Sequence, residues 1–134
     1  MSTQNSTATG MKSTGAHEPS QACVLLVEDD AIVAMLVEQI LLDMGLRVLV
    51  VATLDTALIE AEMADFDAAV IDMHLRGDSA TQLIDTLLLS NVPFMVLSGG
   101  DQSAFHASHP QITILGKPFD KTELEQCVRG LLNH

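Results

Sequence analysis

The stretch Val24-Leu-Leu-Val-Glu-Asp-Asp30 is a short apolar run that ends in three consecutive acids. A continuous apolar run of this length is typical of a strand buried on both faces, as in a parallel sheet. In the segment that follows, 31–44, apolar residues recur near helical spacing: Ile32, Met35, Leu36, Ile40 and Leu41. Asp30 suits the N-cap of this helix, and Gly45 suits its C-terminal cap. The stretch therefore predicts a strand, an acidic turn and a helix.

The same strand-then-helix pattern recurs to the end of the chain. Further β-rich apolar runs lie at 46–51, 68–71, 93–97 and 112–115. We expect the helices between and after them to be capped by Thr53, by Asp78 or Ser79, and by Asp120 or Thr122, with a short or frayed helix near 103–107. Short apolar strands joined by helices predict a doubly wound α/β domain, in which helices cover both faces of a parallel sheet.

Length and composition indicate one domain preceded by a tail. The chain has 134 residues, 48% of them hydrophobic, and domains commonly contain about 100–150 residues. Residues 1–21 are rich in Ser, Thr, Gly and Gln, so we expect a disordered tail there and one domain at 22–134. No apolar run reaches the roughly 18 residues of a membrane span, and the first residues lack the apolar core of a signal peptide. We therefore expect a cytoplasmic protein.

Charge and sulfur content exclude other classes of function. The net charge is −12 with only six Lys and Arg residues, which disfavours binding to nucleic acid. Cys23 and Cys127 lie inside apolar runs, so we expect two buried thiols without a disulfide. His106 and His109 are spaced like a metal pair, but no nearby Cys or His completes a site.

Carboxylate, hydroxyl or amine side chains follow four of the five predicted strands. Ligands of open parallel sheets bind at the carboxyl ends of the strands, and the groups expected there are Glu28, Asp29, Asp30, Asp72, Ser98 and Lys117. Neighbouring carboxylates repel one another, and a divalent cation relieves that repulsion. Mg²⁺ prefers hard oxygen ligands and often uses one or two carboxylates. We predict a Mg²⁺ site with Asp29 and Asp72 as ligands, Glu28 acting through a water, and the backbone carbonyl of His74.

Four motifs together are specific: Val24-Leu-Leu-Val-Glu-Asp-Asp30, Ala69-Val-Ile-Asp-Met-His-Leu75, Phe94-Met-Val-Leu-Ser98 and Lys117-Pro-Phe119. In these motifs the chain resembles the receiver domain of bacterial response regulators, from about Ala22 to Leu132. The resemblance implies a flavodoxin-like (βα)5 three-layer sandwich. Its five-stranded parallel sheet would have the order 2-1-3-4-5.

The resemblance also implies a role for each site residue. Asp72 matches the phosphoacceptor, and Glu28 and Asp29 match the acidic pair that holds magnesium, with Asp29 as the direct ligand. Ser98 matches the hydroxyl that moves toward the phosphoryl group. Lys117 matches the lysine that pairs with a phosphoryl oxygen, and its bond to Pro118 is usually cis in the family.

The function implied by the resemblance is that of a single-domain response regulator. It would accept a phosphoryl group from a sensor histidine kinase or histidine phosphotransferase and promote only its own phosphorylation and dephosphorylation, so it is not expected to be an enzyme. Its output would be a conformational change and a contact with a downstream protein target, on the surface of the fourth helix, fifth strand and fifth helix. We expect a monomer or weak dimer that binds neither nucleic acid nor membrane.

Some residues depart from the family pattern. Ile114 stands where the family usually has an aromatic residue, whose ring swings inward as the Ser or Thr hydroxyl moves. Without that ring this coupling is in doubt, and we expect Ile114 to be a core residue. Gly99 replaces a frequent Ala and makes the next loop flexible. Pro93, Phe94 and Gly99 are similar to a subgroup of small stand-alone receivers with a Phe-Ala-Thr-Gly signature.

Two other functions are also compatible with the sequence. One is a receiver-shaped interaction module that is never phosphorylated. The other is a magnesium-dependent phosphatase with an aspartyl-phosphate intermediate, but such enzymes carry a second aspartate two residues after the nucleophile, where this chain has His74.

Overall fold

The computed structural model describes residues 21–63, 65–76, 78–100 and 103–133. Within these residues the strands are β1 (Cys23–Val27), β2 (Arg47–Val51), β3 (Ala68–Asp72), β4 (His74–Leu75), β5 (Asp78–Ser79), β6 (Phe94–Ser98) and β7 (Thr113–Gly116). The helices are α1 (Ala31–Asp43), α2 (Leu54–Met63), α3 (Thr81–Ser90), α4 (Ser103–Ser108) and α5 (Lys121–Leu132). The tail expected at 1–21 lies outside the described residues, apart from Gln21.

The main sheet is parallel, with the strand order β2-β1-β3-β6-β7. This order confirms the predicted doubly wound, flavodoxin-like arrangement, because β6 and β7 are the fourth and fifth strands of that sheet. The chain passes from β1 to β2 on one side and then returns to place β3 on the other side of β1. The carboxyl ends of β1 and β3 are therefore neighbours, and the strand order reverses between them.

The core consists of two apolar layers, one on each face of the sheet. Helices α2 and α3 supply one layer, and helices α1 and α5 supply the other. Strands β3 and β6 are buried along their whole length, as expected for the centre of a parallel sheet covered on both faces. None of the described helices is long and apolar enough to span a membrane.

The predicted caps explain where several helices begin and end. The Asp30 carboxylate accepts the N–H groups of Ile32 and Val33 at the start of α1. Gly45 follows α1 with φ +83, a conformation that glycine adopts without steric cost. Asp120 begins α5 through a capping box with Glu123, so of the two predicted caps it is Asp120 that is used.

The start of α3 differs from the sequence prediction. Instead of opening a helix, Asp78 and Ser79 form strand β5, which pairs antiparallel with β4. The helix begins only at Thr81, whose N–H is accepted by the Ser79 hydroxyl. Arg76, which follows β4, has φ +51, a conformation typical of tight hairpin turns.

The expectation that both thiols are buried was wrong, and on α1 burial does not follow from the apolar spacing. On α1, Ile40 and Leu41 are buried, but Ile32, Met35 and Leu36 are 79%, 70% and 55% exposed. A helix that is apolar on all sides can bury only the side that faces the sheet, so its spacing does not identify the inner face. The thiols of Cys23 and Cys127 are free, as expected, but both residues are only half-buried.

Candidate functional site

Three carboxylates meet where β1 and β3 end. Val27 is paired with Ile71 across the sheet, so the residues that follow them, Glu28 and Asp72, leave adjacent strands at the same edge. One carboxylate oxygen from each of Glu28, Asp29 and Asp72 lies within 4.8 Å of the others. Glu28 and Asp72 are 1% and 6% exposed, while Asp29 is half-buried. The structure thus brings together the three acids that the sequence predicted.

Lys117 brings a positive charge into this group. Its Nζ donates to Glu28 Oε1 at 3.0 Å and lies 3.4 Å from Asp72 Oδ1. Its backbone N–H donates to the carbonyl of Ser98 at 2.7 Å, and the following bond to Pro118 is cis, as expected. One ammonium group therefore contacts two of three clustered carboxylates, which leaves an excess of negative charge.

Burial and the neighbouring Asp72 change the acidity of Glu28. Burial of the carboxyl group, together with its interaction with Asp72, raises the pKa of Glu28 to about 7, although Lys117 and the Asp30 N–H act in the opposite direction. For Lys117, burial would lower the pKa, but the hydrogen bond to Glu28 and the charge of Asp72 outweigh it and raise the pKa. The lysine therefore keeps its charge at neutral pH, and Glu28 takes up a proton more readily than an ordinary glutamate.

Backbone N–H groups also donate to the carboxylates. The N–H of Asp30 donates to Glu28 Oε2 at 3.2 Å, and that of His74 donates to Asp72 Oδ1 at 3.3 Å. The N–H of Arg76, in the loop of the β4–β5 hairpin, donates to Asp29 Oδ2 at 2.8 Å. Sequence reasoning missed Arg76. The dipeptide Arg76-Gly77 after the third strand was the available indication of a tight turn there.

Ser98 stands at the end of β6 and is 3% exposed. Its hydroxyl donates to the carbonyl of Gly100 and accepts the N–H of the same residue, both at 3.3 Å. The hydroxyl is therefore engaged within its own loop rather than with the carboxylates. Ile114 is half-buried and packs against the core layer of α2 and α3, consistent with the expected core role.

The family can be assigned from the sequence match. Residues 24–129 match the model of the response regulator receiver domain. This chain belongs to the response regulator receiver family. Receiver domains bind Mg²⁺ at an acidic site, and the Glu28, Asp29 and Asp72 oxygens are hard ligands of the kind that this ion prefers. The residues present therefore fit the ion.

Solved structures of receivers share the fold. A response regulator receiver protein from Sinorhizobium medicae WSM419 is 28% identical, with a TM-score of 0.77 over 84% of this chain and 95% of that chain. SdrG from Sphingomonas melonis Fr1 is 28% identical, with a TM-score of 0.73 over 84% and 97% of the two chains. No curated protein matches this receiver.

One structural neighbour contains the expected metal. The receiver domain of a sensor histidine kinase from Pseudomonas aeruginosa PAO1 was solved with a magnesium ion coordinated in its active-site cleft. It is 24% identical, with a TM-score of 0.75 over 86% of this chain and all of that chain. At this identity the likeness establishes a common fold.

Proposed function

We propose that this receiver accepts a phosphoryl group on Asp72 from the phosphohistidine of a sensor kinase or phosphotransferase. The observation that carries the proposal is that Asp72 lies beside both carboxylates that could hold a metal ion and a lysine ammonium group. Asp29 and Glu28 offer oxygens within 4.8 Å, and the Lys117 ammonium lies 3.4 Å from Asp72 Oδ1.

Asp72 supplies the nucleophile. A carboxylate oxygen of Asp72 forms a bond to phosphorus while the bond from phosphorus to the donor imidazole breaks, and the electron pair of that bond stays on the nitrogen. The transferring group carries its negative charge on oxygens, so fixed positive charge stabilises the transition state. Lys117 is positioned to supply part of that charge, because its ammonium already lies beside Asp72.

The remaining positive charge would come from Mg²⁺ held by Asp29, Asp72, the His74 carbonyl and, through a water, Glu28. The net negative charge of the three acids with one lysine favours such an ion. Glu28 and Asp29 need not react themselves. They would hold the ion, and Glu28 also orients Lys117, because Lys117 Nζ lies 3.0 Å from Glu28 Oε1.

The phosphoryl group then acts as a conformational signal. It adds up to about two negative charges and offers acceptor oxygens to Lys117 and Ser98. The Ser98 hydroxyl would exchange its bonds with Gly100 for one to the phosphoryl group, moving the loop after β6. Water later hydrolyses the acyl phosphate, so the chain promotes both steps on itself and is not an enzyme with a separate product.

The test is labelling in the presence of Mg²⁺ with acetyl phosphate or a phosphorylated kinase, followed by intact-mass measurement. The wild type should gain one phosphoryl group that base or hydroxylamine removes, and Asp72→Asn should gain none. Asp85→Asn, which changes an exposed aspartate on α3, serves as the matched control and should label normally. If the wild type stays unlabelled with donors that label another receiver, an unphosphorylated interaction module becomes the better proposal.

A further inference from the structure

Arg76 connects the β4–β5 hairpin to the acidic site through its backbone. Its N–H donates to Asp29 Oδ2 at 2.8 Å, although the two residues are 47 positions apart in the sequence. The same hairpin contributes a second donor, the N–H of His74, to Asp72 Oδ1. One small hairpin thus contacts two of the three clustered carboxylates, and both contacts come from main-chain atoms.

The base of the hairpin is fixed in the core. Leu75 is 2% exposed, and Ala80, which follows β5, is fully buried. The N–H of Ala80 donates to the carbonyl of Met73 at 3.0 Å and closes the base. Because the strands on both sides of the loop are anchored, the position of the Arg76 N–H is set by the core rather than by the exposed loop.

The conformation of Arg76 aims this donor. Its φ of +51 is uncommon for a residue with a Cβ atom. A proline could neither adopt this angle nor donate a hydrogen bond at this position. The Arg76 side chain, by contrast, is exposed. The feature that links this residue to Asp29 is therefore its N–H and not its guanidinium group.

A hydrogen bond to one oxygen of a carboxylate orients the whole group and leaves the other oxygen facing a defined direction. Groups that hold metal ligands in this way commonly change metal affinity about 10–100-fold when they are removed. Asp29 is the half-buried member of the cluster, so it depends more on such a contact than Glu28 and Asp72, which are enclosed by the core.

We propose that the Arg76 N–H is a positioning group for the metal site: it fixes the Asp29 carboxylate in the orientation that binds Mg²⁺. The proposal rests on the proposed function, in which Asp29 is a magnesium ligand. It makes the β4–β5 hairpin a determinant of metal affinity without any side chain of its loop touching the ion.

The first test changes a single N–H group. Arg76→Gly removes the guanidinium group, keeps the N–H and suits a positive φ. Placing glycolic acid at the same position replaces the amide by an ester, which removes the N–H that Arg76→Gly keeps and makes the Leu75 carbonyl a weaker acceptor. Since the chain has no Trp or Tyr, Mg²⁺ binding is measured by calorimetry rather than by intrinsic fluorescence.

Arg76→Gly should bind Mg²⁺ within about twofold of the wild type, and the ester should bind about tenfold more weakly. Equal affinity of the ester and Arg76→Gly would overturn the positioning role alone. A wild type that binds no Mg²⁺ would overturn the proposed metal site and this role with it. The two failures are therefore distinguishable.

A second measurement does not depend on the metal. In the metal-free protein the amide hydrogen of residue 76 should exchange slowly with solvent because Asp29 accepts it. Asp29→Ala should speed that exchange at least tenfold, whereas Asp55→Ala, an exposed change on α2, should leave it unaltered. Unchanged exchange in Asp29→Ala would contradict the hydrogen bond on which the proposal depends.

Discussion

The acidic group at the ends of β1 and β3 and the hydroxyl group at the end of β6 differ in whether they contact the other residues of the site. At the ends of β1 and β3, the acids Glu28, Asp29 and Asp72 are already gathered, and Lys117 contacts two of them. At the end of β6, Ser98 bonds only within its own loop among the contacts described above, through Gly100. The three acids and Lys117 are thus assembled in this structure, whereas the Ser98 hydroxyl is bonded within its own loop.

This difference suggests that the acidic residues and Ser98 have separate roles. Groups that are in place before the reaction can lower its barrier, because no reorganisation is needed at that moment. A group that must first leave other partners is better suited to report that the reaction has occurred. Changes in the acidic group should therefore alter the rate or the metal affinity, and changes at Ser98 should alter the conformational response.

The largest effect is expected at Lys117. Lys117→Met removes the ammonium group beside Asp72, so phosphorylation by acetyl phosphate should slow by about 100-fold or more. The rate is measured by intact mass after timed quenching. Lys121→Met is the matched control, since this exposed lysine pairs with Glu125 at 3.6 Å on α5. A Lys117→Met protein that folds normally and labels at the wild-type rate would show that the lysine has no part in transfer.

The next effect concerns Glu28 and pH. Its pKa is raised to about 7 in the folded protein, against an ordinary value of 4.5. Below about pH 4.5 the Glu28 carboxyl is protonated in both the folded and the unfolded protein, so it does not change the free energy of unfolding. As the pH rises toward 7, Glu28 ionises in the unfolded chain before it ionises in the folded protein, and this favours unfolding. Over that window the metal-free protein should lose about 2–3 kcal/mol of stability through this group.

Glu28→Gln removes the ionisable proton while keeping a polar side chain. Its free energy of unfolding, relative to the wild type, should rise between pH 5 and pH 8, as measured by urea titration in chelator. Saturating Mg²⁺ should reduce the difference, because the ion stabilises the ionised form in the wild type. A difference that does not change with pH would mean that Glu28 is ionised throughout this range.

The smallest effect on chemistry is expected at Ser98. Ser98→Ala removes two bonds to Gly100 and should cost about 1 kcal/mol of stability. Labelling of Asp72 should stay within about threefold, because this hydroxyl does not contact Asp72 Oδ1 before transfer in the way that Lys117 does. In contrast, the change in amide resonances at Gly99 and Gly100 on phosphorylation should disappear. Resonances that still shift as in the wild type would assign the response to another group.

Much of the site could be predicted because parallel topology gathers the ends of its strands. Once the apolar runs were read as parallel strands, Glu28, Asp72, Ser98 and Lys117 had to lie at one edge, even though they are far apart in sequence. The caps at Asp30 and Asp120 were readable for a simpler reason, since a cap depends on residues only two or three positions away.

The details that could not be predicted have two causes. Some depend on contacts between residues far apart in the sequence, and others lie in a segment that is apolar on every side. The β4–β5 hairpin has two residues per strand, too few for any periodic pattern, and its loop is held by Asp29. On α1 the apolar residues cover all sides, so spacing could not separate Ile40 from Ile32. On α5, by contrast, the buried residues Leu124, Val128 and Leu131 are spaced at i, i+4 and i+7, the regular spacing of a helix with one apolar side.

The most direct measurement locates the phosphoryl group. After phosphorylation in Mg²⁺, borohydride reduces an acyl phosphate to an alcohol, so the modified aspartate becomes homoserine and is found by peptide mass. We expect homoserine at position 72 and unmodified aspartate at position 29. Homoserine at position 29, or an unmodified residue at position 72 in fully labelled protein, would contradict Asp72 as the acceptor.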